Sequence, residues 1–267
     1  MLIEPTEEKL QAMRLNSMLE ELRRQQQDPQ FSKLSFEERF GFVVDAEYLS
    51  RENRSLTRRL REAKLRYPAA CMEAVQYSAR RELDRSQMRQ LASCRWIADH
   101  LHVVITGATG VGKSWLACAL AQQACRRGYR AVYRRVPRFF TELTLARADG
   151  TLPKVLAAFA RIDLLVLDDM ALAPLEERER LDLLEILEDR DGLRSTVVTS
   201  QFPPEAWHET IGDPTVADAI LDRITHRAHR IDLKGPSKRG DTDTNDDTKD
   251  GTKETKETKE TKAKNRK

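Results

Sequence analysis

One eight-residue run, Gly107-Ala108-Thr109-Gly110-Val111-Gly112-Lys113-Ser114, constrains the fold more than any other part of the chain. It fits G-x-x-x-x-G-K-[ST] at every fixed position, a pattern whose glycines let backbone N–H groups wrap a polyphosphate without side-chain obstruction. A helix opening at the end of such a loop adds its positive N-terminal end. The apolar run "HVVIT" before the loop predicts a strand, and residues 113–127 predict a helix closed by Gly128. Lys113 is then placed to reach the β- and γ-phosphates, and the Ser114 hydroxyl to ligate Mg²⁺.

The segments after the loop alternate in the same way. "RAVYRRV", "DLLVL", "STVVTS" and "RIDL" predict four more strands, with helices over about 137–147, 152–160, 175–190 and from Pro214 to His229. Unbroken apolar strands between helices imply an α/β fold with a parallel sheet covered on both faces. The strand in "LLVLDDM" ends in Asp168 and Asp169, a costly pairing of carboxylates with a buried strand unless a cation awaits them. Asp168 is placed to complete the Mg²⁺ shell with Ser114, and Asp169 to orient or deprotonate an attacking water. The next strand ends in Thr199-Ser200-Gln201, where Thr199 or Ser200 can sense the γ-phosphate.

Residues 1 to about 95 have a different rhythm. Leu10, Met13, Leu15, Met18, Leu19 and Leu22 recur at steps of three and four, predicting one buried helix face. A second helix is expected from about Phe36, with Ser35 as N-cap, to Arg66, and further helices over Ala69–Tyr77 and Arg80–Ala98. The formal net charge of +3 hides local basic runs. Arg51, Arg54, Arg58, Arg59, Arg61, Lys64 and Arg66 face only Glu52 and Glu62, and Arg51, Arg54, Arg58 and Arg61 share one helix side. With little aromatic interleaving, this stripe suits the phosphates of nucleic acid better than its bases. Shorter runs occur at Arg80, Arg81, Arg85 and Arg89, and at Arg134, Arg135 and Arg138. Residues 241–267 contain a single apolar residue, Ala263, and the repeat "TKETKETKETK", so they are expected to be disordered.

The remaining features bound the chain's surroundings. The four cysteines form no CxxC pair, the N-terminal "MLIEPTEEKL" lacks the order of a signal peptide, and no apolar run approaches a membrane span. A reduced cytoplasmic protein is the expectation. Asp222, His226 and His229 are too loosely spaced to make a metal site of their own.

These parts together resemble the AAA+ ATPases, and more narrowly the IstB-type transposition helpers, relatives of the DnaC-type helicase loaders. The residues carrying the resemblance include "RRELDRSQMRQLASCRWI", "GATGVGKSWLACALAQQACRRGYR", "LAPLEERERLDLLEILEDR", "STVVTSQFPPEAWHETIGDP" and "ADAILDRITHRAHRIDLKG". They cover roughly residues 5–240. The resemblance implies a P-loop AAA+ core preceded by an α-helical domain. It further implies ATP binding at Gly107–Ser114, assembly of subunits on duplex DNA, and recruitment of a partner transposase. Nucleotide is then held between subunits of a homo-oligomer, with Arg223 in "LDRITHR" best matching an arginine finger given in trans. The division expected is 1–78 for DNA, 79–240 for ATP, and 241–267 as tail. Two positions depart from the pattern: Asp169 stands where Glu is usual, and Met170-Ala171 where an aromatic residue and Gly are expected. No helical lid follows "RIDLKG". Two competing readings share the loop: a loader adaptor for a helicase, and a small-molecule kinase. About a hundred basic, helical residues ahead of the loop disfavour the kinase.

Overall fold

Strand–helix alternation builds the sheet that the loop requires. In the computed structural model, which describes residues 3–77 and 81–237, five strands form: β1 (His102–Gly107), β2 (Ala131–Arg135), β3 (Leu164–Met170), β4 (Ser195–Ser200) and β5 (Ala228–Leu233). All pairings are parallel and the order is β2-β3-β4-β1-β5. The helices are α1 (Ile3–Ala12), α2 (Asn16–Gln27), α3 (Phe36–Ala63), α4 (Arg85–Ala92), α5 (Arg95–Ala98) and α6 (Lys113–Arg126). The series continues with α7 (Val136–Ala148), α8 (Leu152–Arg161), α9 (Glu177–Arg190), α10 (Trp207–Ile211) and α11 (Pro214–Thr225).

Successive strand residues point to opposite faces, and both faces are dry. Val103, Ile105, Leu164, Val166 and Val197 pack with α4, α5, α6 and the chain just beyond α3. Val104, Val132, Leu165, Leu167 and Val198 pack with α7 to α11. The result is the three-layer α/β arrangement expected from the sequence, with a helical segment ahead of it. No helix among the described residues is long and apolar enough to cross a membrane. The threonine-lysine tail and Arg80 lie outside the described residues.

Several expected boundaries shift, each for a local reason. The leucine stripe at the N-terminus is not one face. Arg14 adopts φ +60° and Leu15 N–H bonds the Leu10 carbonyl, so α1 ends and α2 begins in a new direction. Leu10 and Leu19 are buried, whereas Met13 is exposed. Helix α3 starts as predicted, with a reciprocal Ser35–Glu38 capping box. It stops at Ala63 rather than Arg66, because Lys64 turns left-handed and swings Leu65 into the core. Residues 69–77 form no helix beyond the 3₁₀ turn Met72–Ala74, and α4 starts only at Arg85, capped by Asp84. The last helix ends at Thr225 because β5 begins at Ala228, so His226 and His229 do not share a helix face with Asp222.

At the opposite end of the sheet from the loop, a buried arginine clasps the layers. Arg190 has no exposed surface and, among the described residues, no ion-pair partner; its guanidinium donates to the carbonyls of Phe159, Ile162 and Ser195 and to the Thr196 hydroxyl. Burial pushes its pKa down. Beside it His102 is buried, and its Nδ1 accepts the Thr196 N–H at 3.1 Å. Burial, with the nearby Arg190 charge, lowers the His102 pKa to about 4 from 6.5. Between those two values the unfolded chain takes up a proton that the folded chain refuses. Stability contributed by neutral His102 is therefore present above pH 6.5 and lost as pH falls toward 4. The loss expected between pH 7 and pH 5 is about 2 kcal/mol. Urea denaturation of His102→Gln against the parent should show that increment disappear from the acid side. An identical pH slope in both proteins would assign the titration elsewhere.

Candidate nucleotide site

Parallel strands put all their C-terminal ends at one edge, where α/β sheets take ligands. At this edge β1 delivers residues 107–114. Gly107 has φ +140°, and a Cβ there would collide with the Leu233 carbonyl of β5, so only glycine lets the loop leave between the two strands. Gly112, at φ +99°, turns the chain into α6 and leaves 3.1 Å between an added Cβ and Arg81 Nη2. Gly110 is likewise left-handed, at φ +87°, and Val111 is buried. Lys113 is only 6% exposed, and its ammonium donates to the Gly107 and Ala108 carbonyls, both at 2.9 Å. The cation thus folds over the loop. Ser114 follows in the first turn of α6, half-buried.

The acid pair lies at the same edge, two strands away. Asp168 has no exposed surface. Its Oδ1 accepts from Thr199 Oγ1 and its Oδ2 from the Tyr133 hydroxyl, each at 2.5 Å, while Arg66 Nη1 lies 3.6 Å from Oδ2. Burial and the adjacent Asp168 carboxylate push the Tyr133 pKa up, so this phenol stays a proton donor. Asp169 sits at φ +63°, within a register shift between β3 and β4, and its carboxylate accepts from Arg135 Nε at 2.6 Å. Ala171 is also left-handed, at φ +59°, a conformation suited to the glycine expected there.

Strand β4 lies between the two halves and joins them. Thr199 donates to Asp168 and accepts the Asp169 N–H at 3.1 Å; Ser200 donates to the Met170 carbonyl at 2.8 Å. Both hydroxyls therefore brace β3. Gln201 instead meets the loop, accepting from Thr109 Oγ1 at 2.8 Å.

The other sequence candidates are spread more widely. Arg223 on α11 donates to the Ala219 carbonyl and to Glu188 of α9 at 2.7 Å, away from its own loop. In the basic stripe of α3, Arg51 and Arg54 share the buried Glu47 carboxylate, while Arg54, Arg58 and Arg61 line a cleft against α2. Arg59 turns inward and donates to the Cys125 carbonyl at the end of α6, so it is a clasp between helices. Lys64 is the left-handed residue that ends α3. The shorter basic runs are largely absorbed by the fold. Arg81 is buried and donates to the Val111 and Gln76 carbonyls, Arg134 pairs with Glu142, and Arg135 holds Asp169.

Tyr133 has no place in the sequence reading, whereas Arg66, Arg81 and Arg135 enter it only as members of basic runs and Gln201 only as the end of the strand that could sense the γ-phosphate. For two of them a cue existed. Once β2 is known to lie beside β3, Arg135 is in register with Asp168, and Tyr133 is two residues back on the same face. Nothing in the sequence near Arg66 points to a carboxylate a hundred residues away.

The fold, the loop and the acid pair define a P-loop protein with an AAA+-type fold. Residues 8–245 match the model of the IstB-like ATP binding proteins, and the chain belongs to that family. An insertion sequence ATP-binding protein of Sinorhizobium fredii is 48% identical over 239 residues, which is 90% of this chain and 97% of the relative. Among solved structures, the replication initiator DnaA bound to AMPPCP and single-stranded DNA superposes with a TM-score of 0.51 at 19% identity. That match covers 63% of this chain and 51% of that one, so the present chain spans about half of DnaA. The DnaC helicase loader matches at TM-score 0.50 and 19% identity, over 63% of this chain and 99% of that one. At such identities these two likenesses show the shared fold alone.

Thr199 ties the acid pair together, so Thr199→Val strands the Asp168 Oδ1 and the Asp169 N–H. The expected cost is about 2 to 4 kcal/mol of stability, read as a lower urea midpoint. Thr199→Ser, which keeps the hydroxyl, should recover most of it; an equal loss in both variants would show that the methyl, not the hydrogen bonds, matters.

Proposed function

We propose that this chain is the ATP-hydrolysing helper of an insertion sequence, assembling on duplex DNA and recruiting or stimulating a partner transposase. The observation that carries this reading is the convergence of the phosphate loop and an acid pair, of which Asp168 is fully buried, at one sheet edge, in a chain of an insertion-sequence ATP-binding family. The residues present fit ATP with Mg²⁺. The loop offers backbone N–H groups and a lysine whose ammonium already lies over the loop, donating to the Gly107 and Ala108 carbonyls. At the same sheet edge, two strands away, is a fully buried carboxylate whose two oxygens retain lone pairs after accepting their hydroxyl donors.

Gly107 to Ser114 would bind the polyphosphate, with Lys113 leaving the loop carbonyls for the β- and γ-oxygens. Ser114 and Asp168 would hold Mg²⁺, which supplies charge neutralisation at those oxygens. Asp169 would orient water once Arg135 yields, and Thr199 and Ser200 would keep both acids in place from β4. Arg223 would exchange Glu188 for the nucleotide of a neighbouring subunit. In this reading residues 1–78 engage DNA, chiefly through Arg51, Arg54, Arg58 and Arg61. Residues 79–240 turn over ATP, and the protein works in the cytoplasm. Arg59 and Lys64 belong to the same basic stretch, but Arg59 first clasps α3 to the Cys125 carbonyl and the left-handed backbone of Lys64 ends the helix.

The DnaC likeness rests on fold alone, whereas the family match spans nearly the whole chain, so the transposition reading is preferred to a helicase loader. Sedimentation with ATP, ADP or no nucleotide, each with and without duplex DNA, tests it. A large complex requiring both ATP and duplex is expected, and Lys113→Ala should abolish it. A monomer in every condition would remove the intersubunit site. Arg223→Ala should keep nucleotide affinity yet lower turnover about a hundredfold or more. Loss of ATP binding in that variant would contradict a role in trans.

A further inference from the structure

The carboxylate assigned to Mg²⁺ is touched from outside the sheet by Arg66, which belongs to the segment just past the basic helix α3. A carboxylate in a dry site calls for compensating donors or cations. Here the compensation is two hydroxyl donors and one guanidinium, and the guanidinium shares Oδ2 with the Tyr133 hydroxyl. Arg66 is held in place by its neighbours as well. Its guanidinium lies 5.4 Å from the Tyr67 ring centroid, and Ala63 and Leu65, on either side of the left-handed Lys64, are buried against the core that contains α6. The side chain is still 37% exposed, so it has room to withdraw.

Resting on the assignment of Mg²⁺ to Asp168, we propose that Arg66 is a positioning residue that competes with Mg²⁺ for this carboxylate and so links the seating of α3 to nucleotide loading. A dication arriving at Asp168 takes over the compensation that Arg66 supplies, and two cations at one carboxylate repel. The loaded site therefore favours Arg66 withdrawn, and the chain between Ala63 and Pro68 moves with it. Linkage makes the effect reciprocal: a ligand that shifts α3, such as duplex DNA on its basic side, changes the affinity for Mg²⁺-nucleotide by the same factor. The sign separates this role from a supportive one. An arginine that merely held Asp168 ready for the metal would weaken Mg²⁺ dependence when removed, whereas a competitor strengthens it.

The test is the affinity of the full chain for a fluorescent N-methylanthraniloyl ATP, measured in Mg²⁺ and in EDTA. The quantity read is the ratio of the two Kd values. Arg66→Ala should raise the Mg²⁺ advantage about tenfold over the parent, and Arg66→Lys, which keeps the charge, should stay near the parent. An unchanged or smaller Mg²⁺ advantage in Arg66→Ala overturns the competition while leaving the site assignment standing. A parent whose affinity ignores Mg²⁺ overturns both. Hydrogen exchange of the unaltered chain supplies an arm independent of any variant's folding. Amides of residues 60–70 should exchange faster with Mg²⁺ and nucleotide than with nucleotide in EDTA, and equal exchange overturns the link to α3.

Discussion

A carboxyl group with no exposed surface sits at the end of β3, and much of the surrounding structure answers to it. Hydroxyls from β2 and β4 and a guanidinium from beyond α3 converge on Asp168. Three separate stretches of chain are thereby fixed relative to one strand end. Remove that carboxyl group and the positions of Tyr133, Thr199 and Arg66 lose their common partner. The neighbouring Asp169 is handled differently: a left-handed backbone and a shift in register turn it toward Arg135. Two adjacent acids thus have distinct environments, one sealed by hydroxyls and the other paired near the surface.

Strand β4 is the mechanical centre of the site although it contributes nothing to either motif. Thr199 and Ser200 bind the acid strand, and Gln201, one residue past the strand, binds Thr109 in the loop. Any change in the loop at Thr109 is felt within two residues of the hydroxyl that holds Asp168. Local rigidity here comes from short side chains bonded across parallel strands, with no flexible arm spanning the gap.

The sheet, its two covered faces, the loop and the acid pair were legible in the sequence because each rests on local pattern. Apolar runs of four or five residues, a glycine-spaced loop and a capping serine at 35 are decided by near neighbours. What escaped was decided by distant ones. Leu15 looks like a continuation of the leucine stripe, yet the turn at Arg14 redirects it. Arg59 and Arg81 look like members of basic surfaces, yet each reaches a backbone carbonyl in the core. A run of arginines is one word in sequence and several in space, since long side chains of alternate direction meet different surroundings. Arg66 belongs to this class, because its partner is chosen by how α3 ends and not by anything beside it in the chain.

The placement of β1 also governs when the site comes into being. This strand lies between β4 and β5, whose residues follow it by roughly a hundred positions or more, while β2 and β3, made before them, lie on the far side of β4. On the ribosome, the loop emerges well before either neighbour of its own strand. Until Ser195–Ser200 has been made, β1 has no edge to join, and until Leu233 arrives the wall against Gly107 is missing. Nucleotide cannot template the early folding of this chain. A product broken off before β5 would carry the whole phosphate motif and leave β1 as a bare edge, open to pairing with another chain.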